Sequence, residues 1–132
     1  MKKICTVRFI SALFLFGLFA TIANAEISIE AEGDIAGSWL LEKSSTTLDG
    51  PRVSRGETWI IGNGQLEKKD VLLARSGTYD VPPMPLKIES GKMLVSVVGR
   101  PGKFESYELI EKEGNSMVLH TKSEGFLFFL RQ

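Results

Sequence analysis

The sequence predicts an all-β fold, a small antiparallel up-and-down β-barrel of about eight strands following a signal peptide. Three observations carry that expectation. Short runs rich in Val, Ile, Thr and Phe are cut by Gly, Pro and Asn turns about every eight to twelve residues, the spacing of a sandwich or barrel. No long stretch places apolar residues at helical spacing, and glycines and prolines interrupt each candidate, so only a single turn of helix between Asp70 and Ala74 fits. The turns are short, and short turns join strands that are neighbours in space.

The first 25 residues read as an export signal. Lys2, Lys3 and Arg8 give a positive start, Phe9 to Ile22 form an apolar run, and Ala23-Asn24-Ala25 supplies the small-x-small cleavage pattern. The run falls short of the roughly 20 apolar residues of a membrane span. Cleavage after Ala25 leaves Glu26–Gln132, a length that suits one domain with one core. Cys5 leaves with the leader, so the expected location is periplasmic or extracellular and the mature domain has no disulfide. Packing and sheet closure must then stabilise it. The mature part keeps 13 basic and 16 acidic side chains, a net charge of −3. Such a balance gives no overall footprint for nucleic acid or for an anionic membrane surface.

Residues 26–33 read as a solvated lead-in, and residues 34–132 as the barrel domain. The first run is Ile35 to Lys43, followed by a polar loop over Ser44 to Ser54 that turns at Asp49-Gly50-Pro51. Glu57 to Ile61 is the next run. Asn63-Gly64 behind it is the strongest hairpin signal in the chain, because both residues tolerate positive φ. Gln65 to Ala74 returns with a polar middle at Lys68-Lys69-Asp70. Gly77 to Val81 is a short strand that Pro82-Pro83 should stop. Leu86 to Glu89 and Lys92 to Val98 form a hairpin across Ser90-Gly91, and Arg100-Pro101-Gly102 turns the chain into Lys103 to Glu111. Met117 to Lys122 and Phe126 to Arg131 complete the set.

Ile35-Ala36-Gly37-Ser38-Trp39 makes a G-x-W opening strand, Thr58-Trp59-Ile60-Ile61 precedes an Asn-Gly turn, and Phe128-Phe129-Leu130-Arg131 closes the chain. Together with Gly77-Thr78-Tyr79 these pieces resemble the lipocalin-like families of small bacterial β-barrels, over nearly all of residues 34–132. In those families the tryptophan plugs the closed end of the barrel under an arginine from the last strand. The resemblance therefore implies structural roles for Gly37, Trp39 and Arg131. It also implies a non-enzymatic domain that binds a small apolar molecule at its mouth.

The chemistry-bearing residues offer little else. His120 is the only histidine, and with no serine or cysteine motif nearby it lacks the partner a general base needs. A lone histidine without mature cysteines makes no usual zinc set, and the carboxylates show no calcium-loop spacing, so no metal or cofactor is expected. Glu105, Glu108, Glu111 and Glu113 are the nearest thing to a carboxylate cluster, and strand parity puts Glu105 and Glu111 on the face of Tyr107 and Leu109. A wet strand rim accounts for them as well as a glycosidase pair does, and no catalytic residue is assigned. The final strand is apolar on both faces, Phe126, Phe128 and Leu130 against Leu127 and Phe129, so one set is left outside the core. Tyr79 and the Pro82-Pro83-Met84-Pro85 segment form the apolar, restricted loop expected to make contacts, with Tyr79, Pro83, Met84 and Trp59 as the candidate residues. The rival expectation is a protein-binding module, such as an inhibitor of an envelope hydrolase of the lysozyme type. An apolar pocket open at one end favours the small ligand; a filled barrel with a projecting loop that carries Tyr79 or Met84 favours the protein partner.

Overall fold

Alternation along a strand gives each one an inward and an outward face. In the computed structural model, which describes residues 27–132, nine strands use that alternation to enclose a core. The expected signal peptide, residues 1–25, lies outside the described residues. A 3-10 turn (Glu32–Asp34) leads into β1 (Gly37–Ser45), β2 (Val53–Ser54), β3 (Thr58–Gly62), β4 (Gln65–Leu72) and β5 (Thr78–Glu89). Then come β6 (Lys92–Ser96), β7 (Phe104–Glu113), β8 (Ser116–Thr121) and β9 (Gly125–Arg131).

All pairings are antiparallel, each strand of β3 to β9 pairs the next in sequence, and β9 pairs back on β1 to close the sheet. Two strands share one side of β1: β3 takes its first half and the short β2 its second, at Lys43↔Ser54 and Ser44↔Val53. The result is an eight-strand up-and-down barrel with one extra strand, the fold class that the turn spacing predicts. Asn63 and Gly64 carry φ of 54° and 72°, which is the tight hairpin turn their identities require.

Several boundaries differ from the sequence reading, each for a local reason. The chain does not stop at Pro82-Pro83: β5 runs straight through Pro82, Pro83 and Pro85. Between Thr78 and Pro85 this strand pairs only with β4, and β6 joins it from Leu86 onward. Its β4 register also shifts between Leu66↔Met84 and Lys68↔Val81. Proline is tolerated at an open edge and at a bulge, where no amide donor is required. Asp70–Ala74, the one place where the sequence leaves room for a helical turn, continues β4 to Leu72 instead; Asp70 sits at φ 60° in a second irregularity of the same ladder, and its amide donates to Asp80 Oδ1 at 3.1 Å. The lead-in is not solvated throughout. Ile29 is buried, its amide donates to the Gly91 carbonyl at 2.9 Å, and Ile27 bridges Leu109.

The alternating strands put the turns 63–64, 90–91 and 114–115 and the lead-in at one end, and the connections 46–52, 73–77, 97–103 and 122–124 at the other. Trp39, Leu41, Trp59, Ile61, Leu119 and Phe129 are all inside a single apolar core. The second face of β9 is covered locally: Arg52 lies 3.8 Å over the Phe128 ring, and the His120 ring lies 4.6 Å from that of Phe126.

Candidate functional site

The end that holds the lead-in is sealed. Trp39 is fully buried, and its indole Nε1 donates to the Ile35 carbonyl at 2.9 Å. Arg131 Cζ lies 4.2 Å from the Trp39 ring centroid, and Arg131 Nη1 donates to the Ala36 carbonyl at 3.2 Å. Gly37, at φ 130°, leaves the space this guanidinium crosses: a Cβ there would stand 2.4 Å from Arg131 Nη1. The Gln132 amide donates to the Ser38 carbonyl at 2.9 Å, so the last residue also ties to the first strand.

The other end is built differently. Above the aromatic layer, where Trp59 meets Tyr107 and Phe129 edge-on at 5.5 and 5.0 Å, the inward side chains turn polar. Glu57, 3 % exposed, accepts from Trp59 Nε1 at 2.8 Å and from Arg55 Nη2 at 2.7 Å. Arg55 also reaches Glu124 Oε1 at 3.1 Å and Ser44 Oγ at 3.1 Å, so it straps β1, the segment just before β3 and the 122–124 turn together. Burial works against its charge, but Glu57 and Glu124 outweigh that cost and raise its pKa.

Across the mouth, Glu105 does the same for a gap in the sheet. The β7–β8 ladder stops at Glu108↔His120, so Phe104–Tyr107 have no backbone partner on that side. Side chains bridge the gap instead: Ser123 Oγ and Thr121 Oγ1 donate to Glu105 Oε1 at 2.7 and 3.4 Å, and Tyr107 Oη, on the same strand as Glu105, donates to it at 3.2 Å. The Tyr107 phenol is pushed well above its usual range, first by burial and then by the negative charge of Glu105, Glu124 and Glu57.

Between these groups lies a half-open pocket of about 240 Å³. Met84, Val95, Val97 and Val98 form its apolar wall; Lys68, Glu105, Ser123 and Glu124 form the polar one. Lys68 Nζ rests 4.3 Å over the Trp59 ring, which separates the pocket from the core. Glu105 and Ser123 also line an outer groove of about 460 Å³ that runs past Lys92, Phe104 and Glu108.

The four contact candidates do not form one site. Met84 lines the pocket. Trp59 is wholly buried and has no surface to offer. Pro83 is exposed on β5, and Tyr79, 46 % exposed, lies seven residues before Leu86, where β6 pairing begins. Strand parity correctly puts Glu105 with Tyr107, but the ladder shifts between Leu109 and Glu111, and Glu111 is exposed. His120 faces outward, bonded through Nδ1 to Glu108 Oε1 at 2.9 Å. Arg55, Glu57, Lys68 and Glu124 were not singled out from the sequence. Only the even spacing of Arg55, Glu57 and Trp59 signalled that they share a face.

No protein-family model, no characterised protein sequence and no solved structure matches this chain. Eight-strand barrels serve many unrelated functions, so the fold by itself assigns none.

Proposed function

We propose that this domain is an exported, non-enzymatic binding protein of lipocalin-like kind, whose mouth takes a small molecule with an apolar body and a polar head. The pocket bounded by Met84, Val95 and Val97 on one side and by Lys68, Glu105 and Glu124 on the other carries this reading. Glu105 and Glu124 meet their protein partners through Oε1, so a wholly apolar ligand would take water from their second oxygens and from Lys68 Nζ, which costs about 1–3 kcal/mol per group. At about 240 Å³ the space lies just below the usual range of about 300–1,000 Å³ for ligand pockets. The ligand is accordingly small and partly solvent-facing. The deep interior is not available to it, because Trp39, Leu41, Ile61, Leu66 and Met93 fill the space below Trp59.

The rival, a protein-binding module such as a hydrolase inhibitor, draws support from two observations: the barrel is filled below Trp59, and Tyr79 is exposed on the projecting part of β5. Native mass spectrometry of the protein taken from its own host separates the two. A retained small molecule supports the ligand reading; a co-purifying protein supports the rival. Titration with N-phenyl-1-naphthylamine, an apolar fluorophore with one amine, adds a direct check. Binding that is lost in Met84→Trp supports the mouth pocket, and binding that survives this filled variant contradicts it.

A further inference from the structure

The surface of the mouth end differs from that of the sealed end in two independent ways. Of the nine large apolar side chains exposed among the described residues, Leu48, Val53, Leu72, Leu73, Tyr79 and Val98 all sit on the mouth-end connections or beside them. Single exposed apolar residues are ordinary, but their gathering at one end is not. Leu72 and Leu73 sit at the tip of the β4–β5 hairpin, where the Leu73 amide donates to the Gly77 carbonyl at 3.1 Å. Beyond Thr58↔Lys69, β4 pairs only with β5, so residues 70–80 form a two-strand ribbon outside the barrel.

Charge is divided along the same axis. Arg52, Lys69, Arg75, Arg100, Lys103 and Lys122 are exposed around the mouth, against Asp49, Asp70 and Asp80. At the sealed end Glu30, Asp34, Glu89, Glu111 and Glu113 are exposed, and acidic residues outnumber basic ones. A net charge of −3 for the mature chain conceals this division.

We infer that the mouth end docks on an anionic phospholipid bilayer, with the Leu72-Leu73 ribbon tip and the Val98 loop entering the headgroup region and the surrounding cations on the lipid phosphates. Apolar loop tips ringed by Lys and Arg match the two terms of interfacial binding, buried apolar area and attraction to anionic lipid. Among the described residues no helix is long and apolar enough to cross a membrane, and this docking needs none. It shares Val98 with the pocket wall but does not rest on the ligand reading.

Two tryptophan reporters test it, both in the chain as isolated from its host. Leu73→Trp places an indole on the ribbon tip; Leu130→Trp, also at an exposed position, places one at the sealed end. With vesicles of phosphatidylcholine and phosphatidylglycerol at low salt, Leu73→Trp emission shifts to the blue and Leu130→Trp emission does not. The shift is absent with phosphatidylcholine alone and fades as salt shortens the range of the charge attraction. In the Leu73→Trp background, Arg100→Gln with Lys103→Gln weakens vesicle binding by roughly fivefold per cation removed, the equivalent of about 1 kcal/mol for each. Glu111→Gln with Glu113→Gln in that background does not weaken it. Four outcomes overturn the inference: no shift at either reporter, an equal shift at both, an equal response to neutral and anionic vesicles, or ribbon tips already covered by a co-purified protein.

Discussion

The two ends of the barrel are made from the same alternating strands but solve different problems. At the sealed end Trp39 is dry, bonded to the Ile35 carbonyl, crossed by Arg131 and packed beside Ile29 and Ile35 in the core. At the mouth the inward positions are Arg55, Glu57, Lys68, Glu105, Thr121 and Glu124, with a pocket between them. With no cysteine among residues 27–132, the barrel must concentrate its stability in packing. Here the lower half of the barrel supplies it, and the upper half is left free to carry polar groups that a core would exclude.

Substitutions at the two ends should separate those roles. Trp39→Ala removes the largest buried side chain of the sealed end and should destabilise by about 3–5 kcal/mol in chemical denaturation, the range for large buried aromatics. A mutant as stable as the native protein would end the plug assignment. At the mouth, Arg55→Ala leaves Glu57 buried with only the Trp59 indole as a bonded partner and should cost about 3 kcal/mol, as for a broken buried ion pair. Arg55→Ala together with Glu57→Gln should recover part of that loss, because the stranded charge is gone. Gly37→Ala forces a Cβ onto Arg131 at a positive φ and should cost about 1–3 kcal/mol. Arg131→Ala in that background should lessen the cost if the guanidinium is the obstacle.

The pH dependence belongs to the mouth. The folded pKa of Tyr107 is raised above the unfolded value of about 10, so its contribution is present in full below that pH. As pH rises beyond about 10 the unfolded chain loses the phenolic proton while the folded one keeps it, and stability falls. Tyr107→Phe should flatten that alkaline decline, measured as midpoint against pH. The smallest effect is expected on the ribbon: Leu72→Ser and Leu73→Ser should each change stability by no more than about 0.5 kcal/mol, since both are exposed.

The sealed end was far more legible in the sequence than the mouth. The resemblance of Ile35–Trp39 and of the closing Phe128–Arg131 to lipocalin-like barrels implied that Arg131 lies across Trp39, and the guanidinium does sit 4.2 Å from the centroid of that ring. Turn chemistry such as Asn63-Gly64 marked the strand boundaries because glycine and asparagine report backbone geometry locally. Pro82-Pro83 misled for the converse reason: whether proline ends a strand depends on which edge has a partner, and only the register shows that. Parity located Glu105 beside Tyr107 yet failed at Glu111, since one bulge inverts every assignment after it. The mouth cluster draws Arg55, Lys68, Glu105 and Glu124 from separate strands and turns, and no local pattern joins them. The sequence-wide charge balance was similarly blind to its own division between the ends.

If recognition is confined to the mouth, a bound ligand will leave the sealed end untouched. Hydrogen–deuterium exchange of the host-derived protein with and without N-phenyl-1-naphthylamine reads both ends at once. Added protection should fall on residues 84, 95–98, 105–107 and 123–124, with residues 37–41 and 129–131 unchanged. Protection that appears instead around Trp39 and Arg131, or spreads evenly over both ends, would contradict it.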